Sequence, residues 1–229
     1  MIAGPDAPVR FFVEGVDDFH AILHLLRRYN LSREETPQFP KFRLPRNENE
    51  HDHSQGKRAV LDAIETAVKA NPNESVGFVL DADDDVQASW EAVAHRLVNV
   101  SVDAPAGISS HGFWGRSSEW GTRVGVWLMP DNQRPGELED FLEELVDGDD
   151  ELHLYAREAT QGAKSRGAEF PDGKTSKAVL HTWLAWQENP GRPYGTAIES
   201  GYLRHDSDAA VRFVVWFRRL LAPDPQSTD

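Results

Sequence analysis

Cysteine is absent from the 229-residue chain, which removes thiolate zinc sites, thiol nucleophiles and disulfide frameworks together. A cysteine-free chain suits a reducing cytosol, so a cytoplasmic location is the expectation. No stretch reaches the ~18 uninterrupted apolar residues of a membrane span, and no membrane partner is expected. The N-terminus, MIAGPDAPVRFFVEG, lacks the basic segment and long apolar run of a signal peptide. There is no GxxxxGK[ST], so the chain has no ATPase P-loop, and neither G-x-S-x-G nor HExxH occurs. Positive charge is scarce: 24 Lys and Arg against 38 Asp and Glu leave a net charge of −14. So acidic a chain repels phosphate backbones at long range, which counts against tight non-specific binding of nucleic acid. A nuclease is not excluded, because bound cations reverse the local field of a carboxylate cluster.

What is present is an ordinary globular composition, 39% hydrophobic and 27% charged. A core of useful size follows, needing no staple. Val9–Val13 reads as a buried strand ending at Glu14-Gly15. Asp17 or Asp18 then caps a helix carrying Phe19, Ile22, Leu23, Leu25 and Leu26 at helical spacing. Lys41–Leu44 reads as a second strand and residues 45–56 as a polar loop. Lys57–Ala70 is a helix with Val60, Leu61, Ile64 and Val68 on one face, stopped by Asn71-Pro72-Asn73. Ser75–Leu80 and Val124–Met129 are buried strands, with a helix around Trp90, Val93, Ala94 and Leu97 between them. The Gly- and Ser-rich stretch 99–121 reads as turns with an edge strand. Leu138, Phe141, Leu142 and Leu145 mark a further helix, and from about residue 148 the pattern is helical, over 150–160, 176–186 and 209–221. Strands alternating with helices predict an α/β fold: a mostly parallel sheet flanked by helices, with residues 149–229 as a helical extension on a 1–148 domain.

In a parallel sheet, ligands bind beyond the carboxyl ends of the strands. Here the first strand ends in Glu14, the second clear one in Asp81 and Asp83, and the third leads to Asp131 and then Glu139. Carboxylates gathered at one sheet edge repel and rise in pKa unless a cation neutralises them. Magnesium, a hard ion with oxygen ligands, is the natural choice, with manganese as its substitute. Residues two apart in extended chain point the same way, so Asp81 and Asp83 are expected to face one ion.

Phe12-Val13-Glu14-Gly15 followed by a helix resembles the first motif of the Toprim superfamily, and Phe78-Val79-Leu80-Asp81-Ala82-Asp83 resembles its Asp-x-Asp motif. Leu128-Met129-Pro130-Asp131-Asn132, then Gly136-Glu137-Leu138-Glu139-Asp140, resembles a stand-alone Toprim-like group, DUF3226-like, near the nucleases of the overcoming-lysogenization-defect (OLD) type. Trp183-Leu184-Ala185-Trp186-Gln187-Glu188-Asn189-Pro190-Gly191 resembles the tail of the same group. The resemblance implies a Rossmann-like Toprim fold and phosphodiester hydrolysis of DNA or RNA, related to defence or maintenance. It implies Glu14 as base or metal ligand, with Asp81, Asp83 and Glu139 as metal ligands. A lysine beside the metals would stabilise charge developing on phosphate, and Lys177 and Lys174 are the candidates. OLD-type nucleases often carry an ATPase, so a separate ATPase chain is an expected protein partner.

Each feature has a plainer reading. Asp84 and Asp85 read as capping residues in a first helical turn. Glu139 also suits a first-turn acid, and Glu137 and Asp140 read as solvated. His51-Asp52-His53 has the types for a transition metal but no further ligands nearby. His111 has no evident partner. Trp114, Trp120, Trp183, Trp186 and Trp216 can stack bases, although core packing is the default for aromatics in apolar runs. Arg157, Lys164, Arg166, Lys174 and Lys177 form either a phosphate track or a solvated face. Two other functions compete with a nuclease: a non-catalytic Toprim-fold binding or sensor module working with a partner chain, and nucleotidyl transfer as in primases. The second lacks a zinc-binding segment.

Overall fold

A computed structural model describes residues 9–31, 41–43 and 56–222. The polar segment containing His51 and His53, and the tail from Pro223, lie outside the described residues. The strands are β1 (Arg10–Phe12), β2 (Lys41–Arg43), β3 (Ser75–Asp81), β4 (Phe113–Arg116) and β5 (Arg123–Met129). They form one sheet in the order β2-β1-β3-β5-β4. All neighbours run parallel except β4, which pairs antiparallel with β5 at the edge. The α/β, Rossmann-like expectation therefore holds, and β4 is the edge strand expected within 99–121.

The helices are α1 (Val16–Arg28), α2 (Lys57–Ala70), α3 (Val86–Val98), α4 (Leu138–Glu143), α5 (Glu151–Lys164), α6 (Thr175–Ala185), α7 (Tyr194–Glu199) and α8 (Asp208–Leu221). Strand alternation sorts the core into two layers. Phe11, Val13, Val79, Trp127 and Met129 face a layer built by α1 and α4–α8. Val76, Phe78, Leu80, Val124, Val126 and Leu128 face a layer built by α2 and α3. The C-terminal helices thus share with α1 the covering of one face of the sheet. Gly77 and Gly125 are register partners in β3 and β5. A Cβ on Gly77 would lie 2.5 Å from Phe11 and 2.7 Å from Leu220 of α8, so the bare backbone there lets α8 settle on the sheet.

One helix start differs from expectation and another matches it. α1 begins at Val16 on the extended backbone of Gly15, with no side-chain cap. Asp18 therefore lies within the first turn, and it is buried. In α3 the expectation holds: the Asp85 side chain accepts from the Ala88 N–H at 3.0 Å. No described helix is long and apolar enough to cross a membrane.

Candidate functional site

Parallel pairing of β1 with β3 brings Glu14 beside Asp81. Phe12 registers with Phe78, and two to three residues further on each chain leaves the sheet at its carboxyl edge. Glu14 Oε1 accepts the backbone N–H of Asp81 at 2.8 Å. Asp81 Oδ1 in turn accepts the N–H of Leu138 at 3.0 Å, so it binds the opening turn of α4. The loop before α4 is pinned to the Asp81-Ala82-Asp83 turn by paired backbone bonds, Asp83 N–H to Gly136 O at 3.0 Å and Gly136 N–H to Asp83 O at 2.7 Å. This cross-link fixes the acids of α4, Glu137 and Glu139, relative to those that follow β3.

Asp83 does not continue the strand alternation. Its φ is +53°, in the left-handed region that Asp tolerates better than most residues. Its half-exposed carboxylate turns to Lys57 of α2, whose Nζ lies 2.6 Å from Asp83 Oδ2 and 2.6 Å from Ser89 Oγ. The premise that extended backbone aims Asp81 and Asp83 at one ion therefore fails at the second residue. The two differ in environment, Asp81 half-buried and bound to the opening turn of α4, Asp83 exposed.

Asp18 joins this site from α1. It is 8% exposed, and its Oδ1 is buried without a hydrogen-bond partner among the described residues. Burial, then the charge of Glu139, pushes its carboxyl up to about 7, against backbone hydrogen bonds that lower it. Burial also pushes Glu14 up to about 7, opposed by the Asp81 N–H and reinforced by the charges of Asp18 and Asp83. Asp81 is raised well above the usual carboxylate range, first by burial and then by Glu14, Asp18, Glu137 and Glu139. Three carboxyls from two strand ends and one helix thus share a desolvated pocket of negative potential.

Lysines close the other side. Lys174 Nζ lies 2.5 Å from Glu137 Oε1, and Lys177 Nζ lies 2.8 Å from Glu139 Oε1. Tyr194 OH reaches the same Oε1 at 3.3 Å; burial, then Glu139, keeps this phenol protonated by raising its pKa. Glu137 and Asp140 are not solvated as expected. They form a reciprocal capping box at the start of α4, and Asp140 also accepts from Ser176 Oγ at 2.5 Å. Among the described residues, no three His, Asp or Glu side chains already stand in an arrangement that encloses an ion. The donor set nevertheless fits a hard divalent cation: carboxylate oxygens, one of them buried and unpaired, at the end of a parallel sheet.

Residues 8–222 match a family described as "Protein of unknown function (DUF3226)". The chain belongs to DUF3226. No curated protein and no solved structure matches it.

The DUF3226 chain assembles Glu14 and Asp81 as expected and brings Glu139, Lys174 and Lys177 to the same edge. Asp131 is elsewhere: it holds its own turn through Gln133 N–H and Arg134, whose hydrogen bonds lower its pKa against burial. The rest of the expected basic patch is dispersed. Arg157 pairs with Glu143, Lys164 with Asp172, and Arg166 donates to Gly162 O. Trp183 and Trp216 are core residues, whereas Trp186 is 39% exposed. His111 is exposed and lies 3.3 Å from Ser110 Oγ. Sequence reasoning missed Asp18 as a site residue, Lys57 and Tyr194. Asp18 had a signal: four residues after Glu14, it falls one turn into a helix that starts at the site.

Proposed function

We propose that this protein is a divalent-metal-dependent phosphodiesterase acting on nucleic acid, a stand-alone relative of the Toprim nucleases of the OLD type. The trio of Asp18, buried, with Glu14 and Asp81, half-buried beside it, carries the reading. Strongly perturbed acids gathered at the carboxyl edge of a parallel sheet mark a working site. The order of the motifs, with Glu14 after one strand and Asp81 after its neighbour, supports the Toprim assignment.

Glu14, Asp18 and Asp81 would hold the ion, with Asp83 adjoining once Lys57 yields and Glu139 through the oxygen that Lys177 leaves free. A bound magnesium or manganese ion supplies Lewis acidity toward phosphate and an activated water. The chain's own residues do the rest. The Asp81 N–H takes only one oxygen of Glu14, and the other would receive a proton from the attacking water. Lys177 and Lys174 offer ammonium groups to the charge that grows on phosphate oxygens. They also offset, at the site, the repulsion that a net charge of −14 exerts on a polyanion. Plasmid nicking or RNA cleavage that needs magnesium or manganese, stops with EDTA and is lost in Asp81→Asn is the expected result. Cleavage undiminished in Asp81→Asn would refute the assignment.

One observation favours a second reading, a non-catalytic module that works with a partner chain such as an ATPase. Asp83, Glu137 and Glu139 already have lysine counter-ions and need no metal to be neutral. Co-purification with a partner, together with inertness toward DNA and RNA in manganese, would select this reading.

A further inference from the structure

Tyr194 lies in α7, a helix of six residues that contributes no carboxylate to the metal cluster, yet its hydroxyl meets the site. Glu139 Oε1 receives both Lys177 Nζ at 2.8 Å and Tyr194 OH at 3.3 Å. Oε2 has no hydrogen-bond partner among the described residues. The two donors therefore fix one oxygen and leave the other uncommitted on a side chain only 5% exposed. His181 stands behind the phenol, with Nε2 3.1 Å from Tyr194 OH. With the phenol hydrogen given to Glu139, the phenol oxygen accepts the N–H of His181, which sets the tautomer. His181 lies one helical turn after Lys177, so a single face of α6 supplies both the direct and the indirect support.

We infer that Tyr194, backed by His181, is a positioning residue that holds one oxygen of Glu139 so that the other is presented to a cation in the acid cluster. This rests on the metal reading above. Hydrogen bonds from outer groups fix the orientation of metal-binding carboxylates, and losing one commonly costs 10–100-fold in affinity. The plainer account makes Tyr194 a core aromatic, 3% exposed, whose hydroxyl happens to be satisfied. On that account only the ring matters.

Manganese titration by calorimetry, without nucleic acid, separates the two. Tyr194→Phe keeps the ring and loses the hydroxyl. The expected result is manganese affinity weakened about 10–100-fold, with a thermal melt close to that of the unsubstituted protein. His181→Phe, at an exposed position, should weaken affinity in the same direction by less, and it carries the test should Tyr194→Phe not fold. In a Glu139→Gln background Tyr194→Phe should cost nothing further, because the group it positions no longer ligates. Unchanged affinity in both Tyr194→Phe and His181→Phe would overturn the inference and leave the metal reading standing. An equal loss with and without Glu139 would do the same. A wild-type protein that binds no manganese would remove both.

Discussion

Glu14 and Asp81, 67 residues apart in sequence, are joined by a hydrogen bond from the amide of one to the carboxylate of the other at 2.8 Å. The contact takes up one oxygen of Glu14 and ties the ends of two neighbouring strands together. Both side chains are partly desolvated and feel the charge of Asp18, and Asp81 feels that of Glu137 and Glu139 as well.

Stability of the metal-free protein should fall as pH rises from about 4 to about 7. Glu14 and Asp18 have ordinary values of 4.5 and 3.8 and both move up to about 7 on folding. Over that interval the folded state keeps protons that the unfolded state has lost, so the stabilisation is complete below the unfolded values and is lost through the folded ones. Each group contributes on the order of 3–4 kcal/mol. Asp18→Asn should therefore raise the melting temperature at pH 8 in EDTA by clearly more than at pH 5, and leave it nearly unchanged only below the unfolded value of 3.8. Equal effects at both pH values would contradict the shared pocket.

Manganese should reverse the deficit at pH 8. At one hundred times its dissociation constant, an ion that binds only the folded state adds about 2.7 kcal/mol. Thermal melts with and without manganese should differ for the wild type and coincide for Asp81→Asn. The amide side chain can still accept the Leu138 N–H, so that variant keeps its fold. Its metal-dependent cleavage should drop at least about 100-fold, more than the loss of an outer hydrogen bond causes.

Lys57 competes with any cation for Asp83, which it holds at 2.6 Å. Lys57→Met should free that carboxylate and tighten manganese binding by up to about tenfold, a 1.4 kcal/mol change. Weaker binding on titration would instead mean that Lys57 organises the site.

The helices after residue 148 should prove inseparable from the sheet. A chain ending at 148 would expose Phe11, Val79, Trp127 and Met129, which now lie under α8 and its neighbours. It should bind a hydrophobic dye and melt without cooperativity. Gly77→Ala should likewise cost about 1–3 kcal/mol in denaturant unfolding, because the added methyl meets Phe11 and Leu220.

Much of the fold was legible in the sequence because the strands buried on both faces are continuous apolar runs and the helices carry one apolar face. β3 and β5 match expectation to within one residue at each end. α7 was not legible, because six residues carry too little periodicity to register. Glu14, Asp81 and Glu139 were legible from strand ends and motif order. Asp18 read as a cap because acids in a first turn are common, and only tertiary packing reveals that it is buried. The turn of Asp83 toward Lys57 depends on one left-handed residue and a backbone cross-link to Gly136, neither of which leaves a mark in local spacing.

A crystal soaked in manganese at pH 8 tests the central claim most directly through anomalous scattering. A peak within coordination distance of Glu14, Asp18 and Asp81 is the predicted result, with Asp18 Oδ1 no longer unpaired. Empty density there, with the three carboxyls unmoved and no peak elsewhere along that sheet edge, would contradict it.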